Sequence, residues 1–330
     1  MNDASHRGIL CVGDPHLCAW APGYRKDDYS AAVLGKLRWA LEHARQENLL
    51  PVLLGDLFHV PRDNANWMLA QLMHLFDGAI LAVAGNHDLS EDALCENDSL
   101  TVLLAAGKLH RLQERPWVGA INGVPVAIGG TDNGQKIPKR LDRKPLGNPA
   151  WVFWITHHDI VFPGYEEAGY FGCREIPGVD LVINGHIHRE LPDVTHGSTV
   201  WCNPGNIARV SRSDATSRHV PGVLRIDVTA QAWTKTRVDV PHQPFVDVFH
   251  PMAEAPKPQE KTSSFITGLQ SMQKFKTSDG EGLRTLIAAN LPAFTNERTR
   301  REILLLLKEV LPHARIEALD GNHRATAQAI

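Results

Sequence analysis

The sequence predicts an α/β fold with parallel strands at its centre. Three observations carry that expectation. Through the first half of the chain, short apolar runs alternate with helical stretches. Each of those runs stops at or beside a glycine. Of 330 residues, 43% are hydrophobic and 22% charged, the balance of a globular chain with ample material for a core.

The elements follow in order. Gly8 to Val12 is an apolar run the length of one buried strand, ending at Gly13. From Tyr29 to Asn48 the apolar residues Leu34, Leu37, Leu41 and Ala44 return every three or four positions, the period of a helix face. Leu50 to Leu54 reads as a second strand, ending at Gly55, and Asn64 to Phe76 as a second helix through Met68, Leu69, Leu72, Met73 and Phe76. Ile80 to Val83 is a third strand, ending near Gly85. Beyond it the chain turns richer in strands. Val118 to Ile128 contains Asn122-Gly123, the dipeptide that best fits a tight hairpin turn. Trp151 to Thr156, Val179 to Ile183, Thr199 to Asn203, Gly222 to Val228 and Thr236 to Val240 are the later strands. Pro251 to Ser264, with three prolines and mixed charge, reads as a linker. Helices are expected after it at Phe265 to Phe275, Gly282 to Leu291 and Asn296 to Leu311. A boundary near 248 divides residues 1–248 from residues 249–330.

Composition narrows the function classes. The 34 Lys+Arg and 37 Asp+Glu leave a formal net charge of -3, which excludes a protein that holds nucleic acid by bulk positive charge. Arg outnumbers Lys, 22 to 12, and Arg suits bidentate phosphate or carboxylate contacts. Five scattered Cys with no C-x-x-C read as reduced thiols. No apolar run reaches the roughly 18 residues of a membrane helix, and the N-terminus has no signal-like run. A cytoplasmic protein without a membrane partner is expected.

The chemistry collects at the strand ends. The first strand leads into Gly13-Asp14-Pro15-His16, the second into Gly55-Asp56-Leu57-Phe58-His59 and the third into Gly85-Asn86-His87-Asp88. The Trp151 strand leads into Thr156-His157-His158-Asp159, and the Val179 strand into Gly185-His186-Ile187-His188. Ligands of parallel α/β sheets bind beyond the carboxyl ends of the strands, so the five blocks converge on one rim. Carboxylate, amide and imidazole donors without a thiolate suit Mn2+, with Fe or Zn2+ as alternatives, and speak against a structural zinc site. Seven candidate ligands exceed one tetrahedral ion and suit two divalent ions about 3.5–4 Å apart with a bridging carboxylate, an arrangement that neutralises charge developing on a phosphoryl group.

These blocks, in this order over roughly residues 8 to 240, resemble the calcineurin-like metallophosphoesterase superfamily: D-x-H, G-D, G-N-H-D, a His after a strand, then G-H-x-H. The resemblance implies a four-layer α/β/β/α sandwich with a small C-terminal helical segment. It implies that Asp14, His16 and His188 hold one metal, that Asn86, His157 and His186 hold the other, and that Asp56 bridges them. It implies that His87 meets the phosphate and protonates the leaving oxygen, with Asp88 orienting its imidazole. His158 competes with His157, which is preferred as the first after the strand.

Within the superfamily, Gly55-Asp56-Leu57-Phe58-His59 resembles the block of the SbcD-like DNA repair exonuclease subunits, in which the histidine three after the bridging Asp contacts phosphate; His59 takes that role by resemblance. The G-D-x-x-D-R-G of serine/threonine phosphatases fits poorly. Asn203-Pro204-Gly205 resembles a turn that follows G-H-x-H in many relatives. A DNA nuclease with 3′–5′ exonuclease and single-strand endonuclease activity is therefore expected, partnered by an SbcC-like coiled-coil ATPase, with a homodimer as an alternative assembly. Residues 249–330 would be a reduced cap or a docking element, the Asn296 to Leu311 helix meeting the partner. A phosphodiesterase or phosphatase acting on a nucleotide or other small molecule is the first alternative, and a non-catalytic metal-stabilised scaffold the second. Lys136, Lys139, Arg140, Arg143 and Lys144, and Arg209, Arg212 and Arg218, are candidate backbone contacts.

Overall fold

The computed structural model describes residues 6–22, 24–166 and 169–250; the expected linker and C-terminal helices lie outside the described residues. In chain order the elements are β1 (Gly8–Val12), α1 (Tyr29–Gln46), β2 (Leu49–Leu53), α2 (Asn66–Leu75), β3 (Leu81–Ala82), α3 (Ser99–Ala105) and β4 (His110–Arg111). Then come β5 (Trp117–Ile121), β6 (Val124–Thr131), β7 (Trp151–Thr156), β8 (Ile160–Val161), β9 (Phe171–Gly172), β10 (Leu181–Asn184), β11 (Glu190–His196) and β12 (Thr199–Pro204). The series closes with α4 (Asp214–Arg218), β13 (Gly222–Val228), β14 (Trp233–Asp239) and α5 (Phe245–Val248).

The strands form two mixed six-stranded sheets, in the orders β14-β13-β1-β2-β3-β4 and β11-β12-β10-β7-β6-β5. In the first, β1 to β4 are parallel and β13 and β14 antiparallel. In the second, β12, β10, β7 and β6 are parallel, and β11 and β5 close the edges antiparallel. Period-two side-chain alternation then builds three layers of core. Ile9 and Cys11 of β1, and Leu50 and Val52 of β2, meet Phe153 and Ile155 of β7 and Leu181 and Ile183 of β10 between the sheets. Leu10, Val12 and Leu53 point the other way, against Val33, Leu37 and Leu41 of α1 and Leu72 of α2. Val152, Trp154 and Val182 face outward from the second sheet onto Phe162, Ile176 and Ile187. Each such buried Leu or Val contributes roughly 1.5–3 kcal/mol.

The sandwich of two face-to-face sheets is the predicted fold class, with helices on the outer face of the first sheet. Over the second sheet, among the described residues, the outer layer consists of loops, the β8–β9 pair and a single 3-10 turn at Lys144–Leu146. Local chemistry sets the element ends. The Asp28 side chain caps α1 by accepting from the Ala31 amide at 3.0 Å. The helix stops at Gln46 rather than Asn48 because Asn48 adopts a φ of 53° and turns the chain into β2. Asn122 and Gly123 both take positive φ, 50° and 75°, as the hairpin joining β5 to β6 requires.

Candidate metal centre

The parallel strands β1, β2, β3, β7 and β10 all release their chains at one edge of the sandwich. Pairing continues past the strand ends: the His16 amide donates to the Asp56 carbonyl at 2.9 Å, Leu17 to Leu57 at 2.9 Å, and His59 to Leu17 at 2.8 Å. Asp14, His16, Asp56 and His186 sit there with φ of 38°, 49°, 49° and 73°. The left-handed region is uncommon for residues with a side chain, and Asp and His are among the types that tolerate it. Glycine is required where the segments meet. A Cβ on Gly85 would lie 2.1 Å from Asp56 Oδ1, and one on Gly55, which also has a φ of 101°, would lie 2.4 Å from His157 Nδ1.

This backbone gathers the seven candidate ligands. Donor atoms of Asp14, His16, Asp56 and His188 lie within 4.8 Å of one another, and so do those of Asp56, His157 and His186. Asp56 belongs to both sets. Its Oδ2 is 3.4 Å from His16 Nε2 and 3.2 Å from His157 Nε2, and His188 Nε2 is 3.6 Å from Asp14 Oδ2. Asn86 joins the second set, its Oδ1 2.9 Å from His186 Nδ1. A third trio, His16, His59 and His87, meets the same distance condition. The His59 and His87 rings stack at 5.3 Å between centroids.

Surrounding acceptors fix which imidazole nitrogens are free. A carbonyl can only accept, so the contact of His157 Nδ1 with the Leu54 carbonyl at 2.7 Å places the proton on Nδ1 and turns Nε2 to Asp56. His87 Nδ1 likewise donates to the His59 carbonyl at 2.7 Å, which leaves Nε2 free. His158 is spent elsewhere, with Nε2 against the Gln135 carbonyl at 2.9 Å. Of the adjacent pair, His157 is the one in the donor set.

The donors fit a cation. Asp14 Oδ1 and Oδ2, His16 Nδ1, His157 Nε2 and His59 Nδ1 are buried without a hydrogen-bond partner. Buried polar atoms are ordinarily paired, and a fully buried carboxylate with two open oxygens is costly unless a positive charge meets it. Titration of the bare cluster reflects the same crowding. Burial, reinforced by Asp56, pushes Asp14 up to about 8. Burial and Asp56 push Asp88 up to about 7. Burial works to raise Asp56 as well, but His157 and His16 outweigh it and hold the carboxylate far below its ordinary range. Burial works to lower His157, yet Asp56 and Asp14 raise it to about 10.

Some expected roles need correction. Asp88 does not orient His87. Its buried carboxylate accepts from the backbone amides of Phe58, Gly85 and Leu57 at 3.0, 3.0 and 3.3 Å, so it joins the second and third blocks, while the His59 carbonyl holds the His87 ring. Arg209 does not reach the rim. It is buried and donates to the His219 and Gln243 carbonyls. Arg212 donates to the His250 carbonyl and lies over the Tyr24 ring. Arg143 is engaged with Asp180 at 2.7 Å, whereas Lys136, Lys139, Arg140, Lys144 and Arg218 are exposed.

Two supporting residues escaped the sequence reading. Asp159 Oδ1 stands 2.8 Å from His186 Nε2. Asn184, fully buried, accepts from Thr156 Oγ1 and the His158 amide and donates to Asn203 Oδ1. Asn203 in turn donates to the Ile187 and Arg189 carbonyls, so one amide pair ties the ends of β7, β10 and β12 together. The signal for both was position alone: Asp159 lies two residues after His157, and Asn184 two before His186.

A model of the family described as calcineurin-like phosphoesterase matches residues 8–190. No curated protein sequence matches the chain. Similar solved structures include a hypothetical protein from Thermus thermophilus, with a TM-score of 0.42 and 11% identity over 71% of this chain and 100% of that one. A conserved uncharacterised protein, a predicted phosphoesterase, from Streptococcus pneumoniae has a TM-score of 0.33 and 13% identity over 71% and 89%. Vacuolar Protein Sorting 29 from Cryptosporidium parvum has a TM-score of 0.31 and 11% identity over 70% and 96%.

Proposed function

The chain belongs to the calcineurin-like phosphoesterase family, and from that premise we propose that it is a phosphodiester hydrolase that uses two divalent ions, with DNA as its substrate. The carrying observation is the pair of donor sets sharing Asp56. Asp14, His16 and His188 would hold one ion and Asn86, His157 and His186 the other, with Asp56 shared by both sets. The oxygen and imidazole donors suit Mn2+. A pair of such ions supplies positive charge against the phosphoryl oxygens and acidifies water.

The remaining work falls to the chain's own residues. His87, its Nδ1 proton committed to the His59 carbonyl, presents Nε2 and delivers a proton to the leaving oxygen. His59, stacked on that ring, steadies it and meets a phosphate oxygen. Asp159 and the Leu54 carbonyl fix the rings of His186 and His157. The Gly55-Asp56-Leu57-Phe58-His59 block supports the nuclease reading, and with it an SbcC-like ATPase partner docking through residues 249–330. A diester of a small nucleotide is the second reading, favoured by an open-mouthed cavity of about 350 Å³ beside His186 and His188.

The test is Mn2+-dependent degradation of linear DNA beside hydrolysis of bis-p-nitrophenyl phosphate. His87→Ala is expected to lower turnover on DNA by roughly 10²–10⁴-fold, and less on the nitrophenyl ester, whose leaving group needs little protonation. Cleavage of the small ester alone would sink the nuclease reading. Cleavage of neither by the metal-loaded protein would sink the hydrolase reading.

A further inference from the structure

We infer that the cavity beside His186 and His188 seats one nucleoside unit of the substrate, esterified to the phosphate at the donor cluster; the inference rests on the phosphodiester reading above. Position is the first argument. Two candidate ligands, His186 and His188, form part of the cavity wall, so a group bound in it is joined to the reacting phosphorus by a single ester link. Size is the second. A volume of about 350 Å³ is at the small end of the range that ligand sites occupy, room for one sugar and base but not for a duplex.

Chemistry is the third argument. Among the described residues no carboxylate lines the cavity, which disfavours a cationic group such as a choline ester. The Arg189 side chain lies 5.9 Å over the Tyr165 ring and donates to the Gly164 carbonyl, which sets a cation in the cavity wall. Ser211 and Thr216 add hydroxyls, and Ala208 and Val210 an apolar face, a mixture suited to a sugar and a base together.

The wall is also built in advance. Lys36 Nζ donates to the Ile207 carbonyl at 3.1 Å and Arg25 Nη1 to the Arg209 carbonyl at 2.6 Å, and the Arg209 guanidinium grips the His219 carbonyl. The segment carrying Ala208 and Val210 is thereby pinned to α1 and its approach before any ligand arrives, which lowers the ordering cost of binding.

The experiment compares two chromogenic diesters with the same leaving group, p-nitrophenyl thymidine 5′-phosphate and bis-p-nitrophenyl phosphate, with the Mn2+-loaded full chain. The wild type is expected to favour the thymidine ester in kcat/KM by at least about tenfold. Ala215→Trp, which fills the exposed mouth of the cavity, is expected to lower that ratio by about fivefold or more. Thymidine 5′-monophosphate should also inhibit the wild type more tightly than inorganic phosphate does. A wild-type ratio near one, or a ratio unmoved in Ala215→Trp, overturns the cavity assignment while leaving the hydrolase reading intact. Cleavage of neither diester overturns both. The source of the nucleoside follows from two further substrates. An Ala215→Trp penalty on mononucleotide release from a single-stranded oligonucleotide points to a strand end, and a penalty confined to a dinucleoside monophosphate points to a free nucleotide; either supports the cavity.

Discussion

Gly85 carries more of the site than its lack of a side chain suggests. The Asp56 carboxylate occupies the space in which a Cβ at position 85 would lie, 2.1 Å from Oδ1. The His87 amide, two residues on, donates to that same oxygen at 2.8 Å. Gly85→Ala therefore pushes the shared carboxylate out of both donor sets. The expected result is a loss of roughly 10–100-fold in Mn2+ affinity by isothermal titration, with a folding cost of about 1–3 kcal/mol in urea. Unchanged metal affinity would count against Asp56 as the bridge. At this scale the sequence was legible where a residue's type matched its job. Asp14, His16, Asp56, Asn86, His157, His186 and His188 gather at one edge, as donor types placed after parallel strands lead one to expect. Asp88 and Arg209 misled because each is charged, yet their partners are backbone groups brought close by folding. No spacing in the sequence encodes such partners.

Among the elements, α1 couples the helical layer to the loop that follows β12. Its Lys36 is buried, and burial, assisted by the charges of Arg25 and Arg209, lowers the ammonium to about 8. The unfolded chain holds that proton up to about 10.5, so it binds more protons than the native state between the two values, and stability rises with pH across that window. Below pH 8 the full penalty is present. Lys36→Met should remove this rise, about 3 kcal/mol between pH 8 and 10.5 in chemical denaturation, whatever offset it adds through the unpaired Ile207 carbonyl. Equal slopes for wild type and variant would show that Lys36 carries no such penalty. Elements were legible in the sequence in proportion to their burial. β1, β2, β7 and β13 are largely buried apolar runs and were found with their ends nearly correct. β11 runs Glu190-Leu191-Pro192-Asp193-Val194-Thr195-His196 with most of its residues exposed, and it exists because β12 offers it an edge. The short α3 has only three buried residues and no room for a visible period.

At the scale of the molecule, the candidate ligands come from both halves of the sandwich: Asp14, His16, Asp56 and Asn86 follow strands of the first sheet, His157, His186 and His188 strands of the second. Ions bound there favour the folded state over the unfolded by mass action, about 2.7 kcal/mol for one site at a hundred times its Kd. Chelation of the Mn2+-loaded protein should accordingly lower Tm by roughly 5–10 °C, and an unchanged Tm would argue that the cluster holds no ion tightly. No helix among the described residues is long and apolar enough to cross a membrane. The divided origin of the ligands also bears on how the protein comes into being. Neither of the two donor sets that share Asp56 is complete within one sheet, so neither is assembled before the two sheets have docked. During synthesis Asp14, Asp56 and Asn86 emerge between 100 and 174 residues before His186 and His188. Ion uptake by the paired sets thus becomes a timestamp for the moment at which the two sheets meet.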